Sequence, residues 1–185
     1  MSLKMLALKK SLRSLFGRWL RDEEALAGTE AAMIFPLMLT LFLGLYDVGN
    51  GILANQKTIR ASQIVADLIA RKNVVTGADV NEAVKAGELA FEPMPQETYG
   101  VDIISVRFDP DTSDPEIVWR DTRNMTPIPD VFDRVSPLGL PGEGVVVVAV
   151  TYSFEPVFAG FVVDTFDMME VGFSRGRSSP VVNHE

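Results

Sequence analysis

Carboxylates are the residues of this chain whose types and spacing could do chemistry, because cysteine is absent and the one histidine, His184, is penultimate. Four acidic side chains crowd into residues 109–116: Asp109, Asp111, Asp114 and Glu116. Carboxylate oxygens are the ligands that Ca²⁺ prefers, but this stretch lacks the glycine and the length of an EF-hand loop. A hairpin turn rich in Asp and Pro is therefore the favoured interpretation, and an ion site is the alternative.

The sequence otherwise holds none of the motifs that carry catalysis. It has no Gly-rich phosphate loop, no nucleophile elbow, and no His/Cys/Asp set at metal-ligand spacing. Four further aspartates are expected on solvated faces or in turns: Asp102, Asp121, Asp130 and Asp133. His184 is expected to belong to a frayed terminus. We therefore predict that the chain is not an enzyme and holds no metal and no cofactor.

Charge is spread unevenly along the 185 residues, whose formal net charge is −8. Before residue 22 every charged side chain is basic: Lys4, Lys9, Lys10, Arg13, Arg18 and Arg21. A basic end indicates contact with a membrane surface. Residues 1–20 are either an amphipathic helix on the inner leaflet or a disordered leader. The acidic remainder would repel phosphate, so nucleic acid is not expected as a partner.

An apolar, charge-free run at residues 31–46 is the candidate membrane span. Extended through Asp47 to residue 54, it reaches the roughly 20 residues that a helix needs to cross a bilayer. The basic flank before the run predicts that the N-terminus is cytoplasmic and that the later residues lie outside. A cleaved secretory signal is the alternative, but the residues after the run fit a cleavage site poorly.

Two acidic residues flank or interrupt this run. Glu30 stands at its cytoplasmic mouth and Asp47 in its far half. A carboxylate inside a membrane is costly and usually has a partner or a function. The simpler interpretations are that Glu30 lies in the first helical turn, where the helix dipole favours it, and that Asp47 reaches the outer interface.

Residues 28–50, GTEAAMIFPLMLTLFLGLYDVGN, resemble the N-terminal segment of the TadE/TadG-like family of the tight-adherence (Flp pilus) machinery. The positions that carry the resemblance follow the order and spacing of that family: Glu30, Pro36, Gly44, Asp47 and Gly49. The similarity covers roughly residues 25–70. Residues 145–158 and 174–180 are also similar, more weakly, to a late strand and a closing basic-proline element of the family.

The resemblance implies a minor pseudopilin of the bacterial inner membrane, processed by a prepilin peptidase. Its partners would be other pilin or pseudopilin subunits and assembly-platform proteins. The peptidase motif has a glycine before the cut and a glutamate five residues after it. Counting back from Glu30 reaches Ala25, with Leu26 next and Gly28 only two residues before the glutamate, so the candidate processing site departs from the motif. An uncut member of the family is the alternative.

The predicted organisation has three parts: a basic cytoplasmic leader at residues 1–28, a transmembrane and extended helix at 29–72, and an extracytoplasmic α+β domain at 73–185. After the long helix, Thr76 is a candidate cap for a short second helix. Strand patterns follow at residues 99–110, 115–122, 143–158 and 164–177, the first two as a hairpin and the third as a central strand. We expect an antiparallel sheet of about four strands with one apolar face packed on a helix, an arrangement similar to that of pilin-like subunits.

Two functions are consistent with these patterns. The resemblance favours a component of a Flp-type pilus or secretion system that is anchored in the inner membrane and acts through protein–protein contacts. The alternative is a membrane-anchored periplasmic binding domain unrelated to pili, which a deep apolar pocket would favour.

Overall fold

The structure is a computed structural model that describes residues 23–160 and 164–185. It begins with α1, a single α-helix of 48 residues at Glu23–Ala70. The chain forms two compact units, Met1–Tyr46 and Asp47–Glu185, and α1 contributes to both. The predicted cytoplasmic leader falls mostly on residues before 23, outside the described residues.

Within the first unit, α1 is exposed along residues 27–42. Met33 in this run is 80% exposed. Pro36 cannot donate a backbone hydrogen bond, and the hydroxyl of Thr40 donates one to its carbonyl at 2.9 Å. In the described part of the chain, this is the one helix that is long and apolar enough to cross a membrane.

Within the second unit, α1 buries one stripe in the core of the domain. The buried positions recur at three- and four-residue spacing: Ala54, Thr58, Ala61, Val65 and Ile69. Several of these side chains are small, and beside them the backbone of Ser62 closely approaches the sheet. A Cβ added to Gly172 would lie 2.9 Å from the backbone of Ser62, so only glycine fits at that position.

Two short elements follow α1: strand β1 at Val74–Val75 and helix α2 at Gly77–Leu89. The predicted cap of α2 is confirmed as a reciprocal capping box. The Thr76 hydroxyl accepts from the Asp79 amide, and the Asp79 carboxylate accepts from the Thr76 amide at 2.9 Å. Hydrogen bonds from Lys72 and then from Thr76 lower the pKa of Asp79 to about 2.

The main sheet has four antiparallel strands in the order β3-β2-β4-β5. They are β2 (Gly100–Phe108), β3 (Pro115–Arg123), β4 (Gly144–Phe154) and β5 (Phe166–Ser174). The predicted hairpin of the first two is confirmed, with Val101 opposite Arg123 and Phe108 opposite Pro115. The predicted interior position of β4 is also confirmed. With its helices and this antiparallel sheet, the described part of the chain has an α+β architecture.

Both faces of this sheet are covered, whereas the sequence predicted only one packed face. The first face packs on α1 and α2. The second carries its own apolar cluster, which includes Ile104, Val147 and residues of a short helix α3 at Val131–Val135. A 3₁₀ turn at Ser136–Leu138 follows α3. Because β4 is buried on both faces, its apolar pattern is continuous rather than alternating.

The C-terminal residues form a strand, so the prediction of a frayed terminus was wrong. Strand β6 at Asn183–His184 pairs in parallel with β1. The Asn183 amide donates to the Asn73 carbonyl at 3.0 Å. The indole of Trp119 donates to the Val182 carbonyl at 2.8 Å, and its ring centre lies 5.4 Å from that of His184. These contacts join the end of the chain to the residues that follow α1.

Candidate functional site

Asp47 is a buried carboxylate that binds the loop following β4. It lies on α1 and is only 4% exposed. Its Oδ1 accepts from the amide of Val157 at 3.0 Å, and its Oδ2 accepts from the amides of Phe158 at 2.8 Å and Ala159 at 2.6 Å. Three successive backbone N–H groups therefore converge on one carboxylate, and hydrogen bonds to an ionised acceptor are stronger than neutral ones.

This geometry gives Asp47 a partner within its own chain. From the sequence, the residue was expected either to reach the interface or to serve subunit assembly. The loop lies 110 to 112 residues further along the chain, and nothing in its residues marks it as an anion-binding segment. The side chain fixes the loop to α1 at the residue that follows the charge-free run, and its role at the interface or in subunit assembly stays a prediction.

The other residues of the resemblance remain separate from this cluster. Glu30 is exposed on α1. A Cβ added to Gly44 or to Gly49 would meet no atom of the described residues within 4 Å. At about 100° per helical residue, Gly49 lies roughly 160° around α1 from Asp47. The helix surface at Gly49 is therefore turned away from the loop and has room for close approach by another helix.

The candidate processing residues all lie within α1. Ala25, Leu26 and Gly28 belong to its first turns, and Gly28 is exposed. The peptide bonds beside these residues are thus helical in the described structure. Nothing in this arrangement tests cleavage, which remains a prediction.

The acidic turn at 109–116 is organised by its own backbone. Oδ1 of Asp109 accepts from the amides of Asp111 at 2.8 Å and Thr112 at 3.0 Å, and these hydrogen bonds lower the pKa of Asp109. Glu116 pairs with Arg107 across the hairpin. Among the described residues no group of three or more acidic or histidine side chains could hold a metal ion.

Asp102 on β2 is also a buried carboxylate, so the prediction that it lies on a solvated face or in a turn was wrong. Its side chain is fully buried on the second face of the sheet. It accepts from Arg120 Nε at 2.9 Å, from the Thr122 hydroxyl at 2.7 Å and from the Ile128 amide at 3.0 Å. Burial alone would raise the pKa of Asp102, but these donors outweigh it and lower the pKa. The residue holds the segment after β3 against the sheet.

Two grooves lie on the surface of the domain. One of about 600 Å³ is lined by polar groups such as Thr98, Asn124 and Asp167, together with methionines of β5. The other, of about 340 Å³, follows residues 175–180. Its two arginines are already paired, Arg175 with Glu143 and Arg177 with Asp67. The second groove is therefore lined by a loop whose arginines are already paired, and it is not an open site for an anion.

No family model, no curated protein and no solved structure matches this chain.

Proposed function

We propose that this chain is a pseudopilin-like assembly component of a tight-adherence (Flp-type) pilus or secretion system. One helix anchors it in the bacterial inner membrane, with the N-terminus in the cytoplasm and the folded domain in the periplasm. It acts through contacts with other pilin or pseudopilin subunits and with assembly-platform proteins. The observation that carries the proposal is α1, one unbroken helix whose run at 31–46 is largely exposed and whose later residues form the core of the domain.

The exposed apolar run at residues 31–46 needs an apolar environment that removes it from water. Apolar surface left in water costs about 25 cal/mol per Å², and this surface is made of large side chains: Met33, Ile34, Phe35, Leu37, Met38, Leu39, Leu41, Phe42, Leu45 and Tyr46. A bilayer would remove that cost, and so would a bundle of similar helices. A subunit that passes from membrane to filament needs a helix that is compatible with both surroundings.

Glu30 is the residue on which packing of this helix would depend. It lies at the start of the run and is exposed on α1. In a bundle its carboxylate would pair with the N-terminal amine that the peptidase creates on the adjacent subunit. Because an unpaired charge in lipid is costly, such a pair would set the register between subunits.

The first test is intact mass with N-terminal sequencing of the protein purified from membranes of its native host. A chain that begins near Leu26 or Thr29 would support peptidase processing and a pseudopilin. A chain that begins at Met1 or Ser2 would instead support an uncut assembly factor. Recovery only from the soluble fraction would contradict membrane anchoring.

A second test replaces Glu30 in the native host. We expect Glu30→Gln to reduce surface filaments about tenfold or more at an unchanged protein level, since loss of a buried ion pair costs more than the ~1.4 kcal/mol that a factor of ten represents. Glu82→Gln, at an exposed position on α2, is the matched control and should assemble normally. Normal filaments with Glu30→Gln would disprove the role of this carboxylate.

A membrane-anchored binding domain is the second candidate, and the groove of about 600 Å³ is the observation that favours it. Its polar lining would suit a small hydrophilic ligand or a cell-wall fragment. Genes for a pilus ATPase and a prepilin peptidase beside this one would favour the pilus. Saturable binding of a cell-wall fragment, lost on replacement of Asp167, would favour the binding domain.

A further inference from the structure

The loop bound by Asp47 presents apolar side chains to its surroundings. Val157 is 69% exposed and Phe158 is 41% exposed. Their backbone amides point at the Asp47 carboxylate. On the neighbouring turns of α1, Val48 and Ile52 are exposed as well. These four residues, named here the collar, belong to the loop and to the part of α1 that directly follows the charge-free run.

The backbone of this loop is unusually suited to a medium without water. A non-helical segment at membrane depth is tolerated only where its polar groups are satisfied by the protein, because lipid offers no hydrogen bonds. Asp47 satisfies three consecutive amides, those of residues 157–159. The carboxylate in turn accepts three hydrogen bonds from the protein, one at Oδ1 and two at Oδ2.

From this combination we infer that the collar is a second membrane contact, in which Val157 and Phe158 enter the outer interface of the bilayer that α1 crosses. The inference rests on the proposed single-pass anchoring. Asp47 acts as the positioning residue, because it holds the loop beside α1 next to the last residue of the run. The loop would thereby fix how deeply the helix inserts.

Lipid is the occupant that the position of the collar favours, because the loop is bound to Asp47, the residue that directly follows the charge-free run. The charged residues nearest along the chain to Val157 and Phe158 are acidic, namely Glu155 and Asp164, and both are exposed. An acidic rim disfavours attraction to anionic headgroups, so contact must come from apolar insertion. We therefore expect the collar to bind zwitterionic bilayers as well as anionic ones.

The absence of cysteine makes a site-specific test direct, because each single-cysteine variant of the full chain carries one fluorophore. The variants are Val157→Cys in the collar, Leu41→Cys in the charge-free run, and Phe132→Cys on α3 as a control with comparable exposure to Phe158. The protein is reconstituted into phosphatidylcholine vesicles that contain lipids with a quencher. We expect lipid quenching at 157 to be several-fold stronger than at 132.

Asp47→Asn in the Val157→Cys background tests the positioning role. It removes the charge and one acceptor, so quenching at 157 should fall several-fold while quenching at 41 is unchanged. If circular dichroism shows that Asp47→Asn disturbs the domain, Phe158→Asp replaces it, since it leaves the backbone contacts in place. Undiminished quenching at 157 in a folded variant would overturn the inference.

The outcomes separate this inference from the proposed function. Strong quenching at 41 with quenching at 157 no greater than at 132 would overturn the membrane contact but leave the anchor intact. Absence of quenching at 41 would mean that the anchoring proposal itself fails. A label at 157 that is shielded from both lipid and aqueous quenchers would show a protein on the collar, such as a second copy, and would also overturn the inference.

Discussion

Replacement of Asp102 should lower the free energy of unfolding of the domain far more than replacement of a neighbouring acidic residue. In Asp102→Asn an amide nitrogen at the Oδ2 position would face the guanidinium of Arg120 and the amide of Ile128, both of which now donate to that oxygen. Breaking a buried ion pair costs about 3–5 kcal/mol. Arg120 is 25% exposed and keeps a hydrogen bond to the Ile128 carbonyl, so we expect the lower end, about 3 kcal/mol.

The assay is urea unfolding of the full chain in mild detergent, followed by circular dichroism. Asp121→Asn on β3 is the matched control, because Asp121 forms a partly exposed pair with Arg123 and such pairs contribute about 0–1 kcal/mol. Against a total of roughly 5–15 kcal/mol for a domain, a loss of 3 kcal/mol lowers the midpoint visibly. Equal midpoints for the two variants would refute the argument that Asp102 anchors the second face.

The same carboxylate predicts a pH dependence. The folded pKa of Asp102 is lowered, so its stabilising effect is present above the unfolded value of about 3.9 and is lost as pH falls through the folded pKa. The difference in unfolding free energy between the wild type and Asp102→Asn should therefore stay constant from neutral pH to about 4 and shrink below it. A difference that grows on acidification would contradict this assignment.

Three further substitutions test the packing around the helices. Gly172→Ala should destabilise the domain by about 1–3 kcal/mol, because the new Cβ would lie 2.9 Å from backbone atoms of Ser62. An unfolding midpoint equal to that of the wild type would show that α1 can shift to make room. Tyr99→Phe should change the free energy of unfolding by less than about 0.5 kcal/mol, because the buried hydroxyl has no hydrogen-bond partner among the described residues. Tyr152→Phe is the comparison, since it removes a 3.0 Å hydrogen bond to the Pro95 carbonyl. It should lower the free energy of unfolding by about 1 kcal/mol.

Local patterns in the sequence were enough to predict several elements. The continuous β-branched run became β4, an interior strand, because a strand buried on both faces can be apolar throughout. Thr76 predicted the start of α2, since a threonine directly before a helix is a preferred cap. The Asp- and Pro-rich segment at 109–116 predicted the turn of the β2–β3 hairpin.

Other features depended on contacts that no local pattern encodes. The expected single packed face of the sheet, the solvated Asp102 and the frayed His184 were each corrected by segments distant in the chain. Residues 125–138 cover the second face, and β6 pairs with a strand more than a hundred residues earlier. Such contacts follow from how the strands are connected, and the secondary-structure propensities of individual residues do not encode them.

The long helix α1 has some features that its sequence alone determines and others that only the tertiary structure determines. Its apolar, charge-free run and the positions of Glu30 and Asp47 are properties of the residues alone, and they are the basis for the proposed membrane anchor. Which residues of α1 become core, and what Asp47 binds, was decided only when the sheet and the loop after β4 packed against the helix. A carboxylate carries the same charge in either setting, but three amide donors reach it only through a fold that brings residues 110 to 112 positions away beside it.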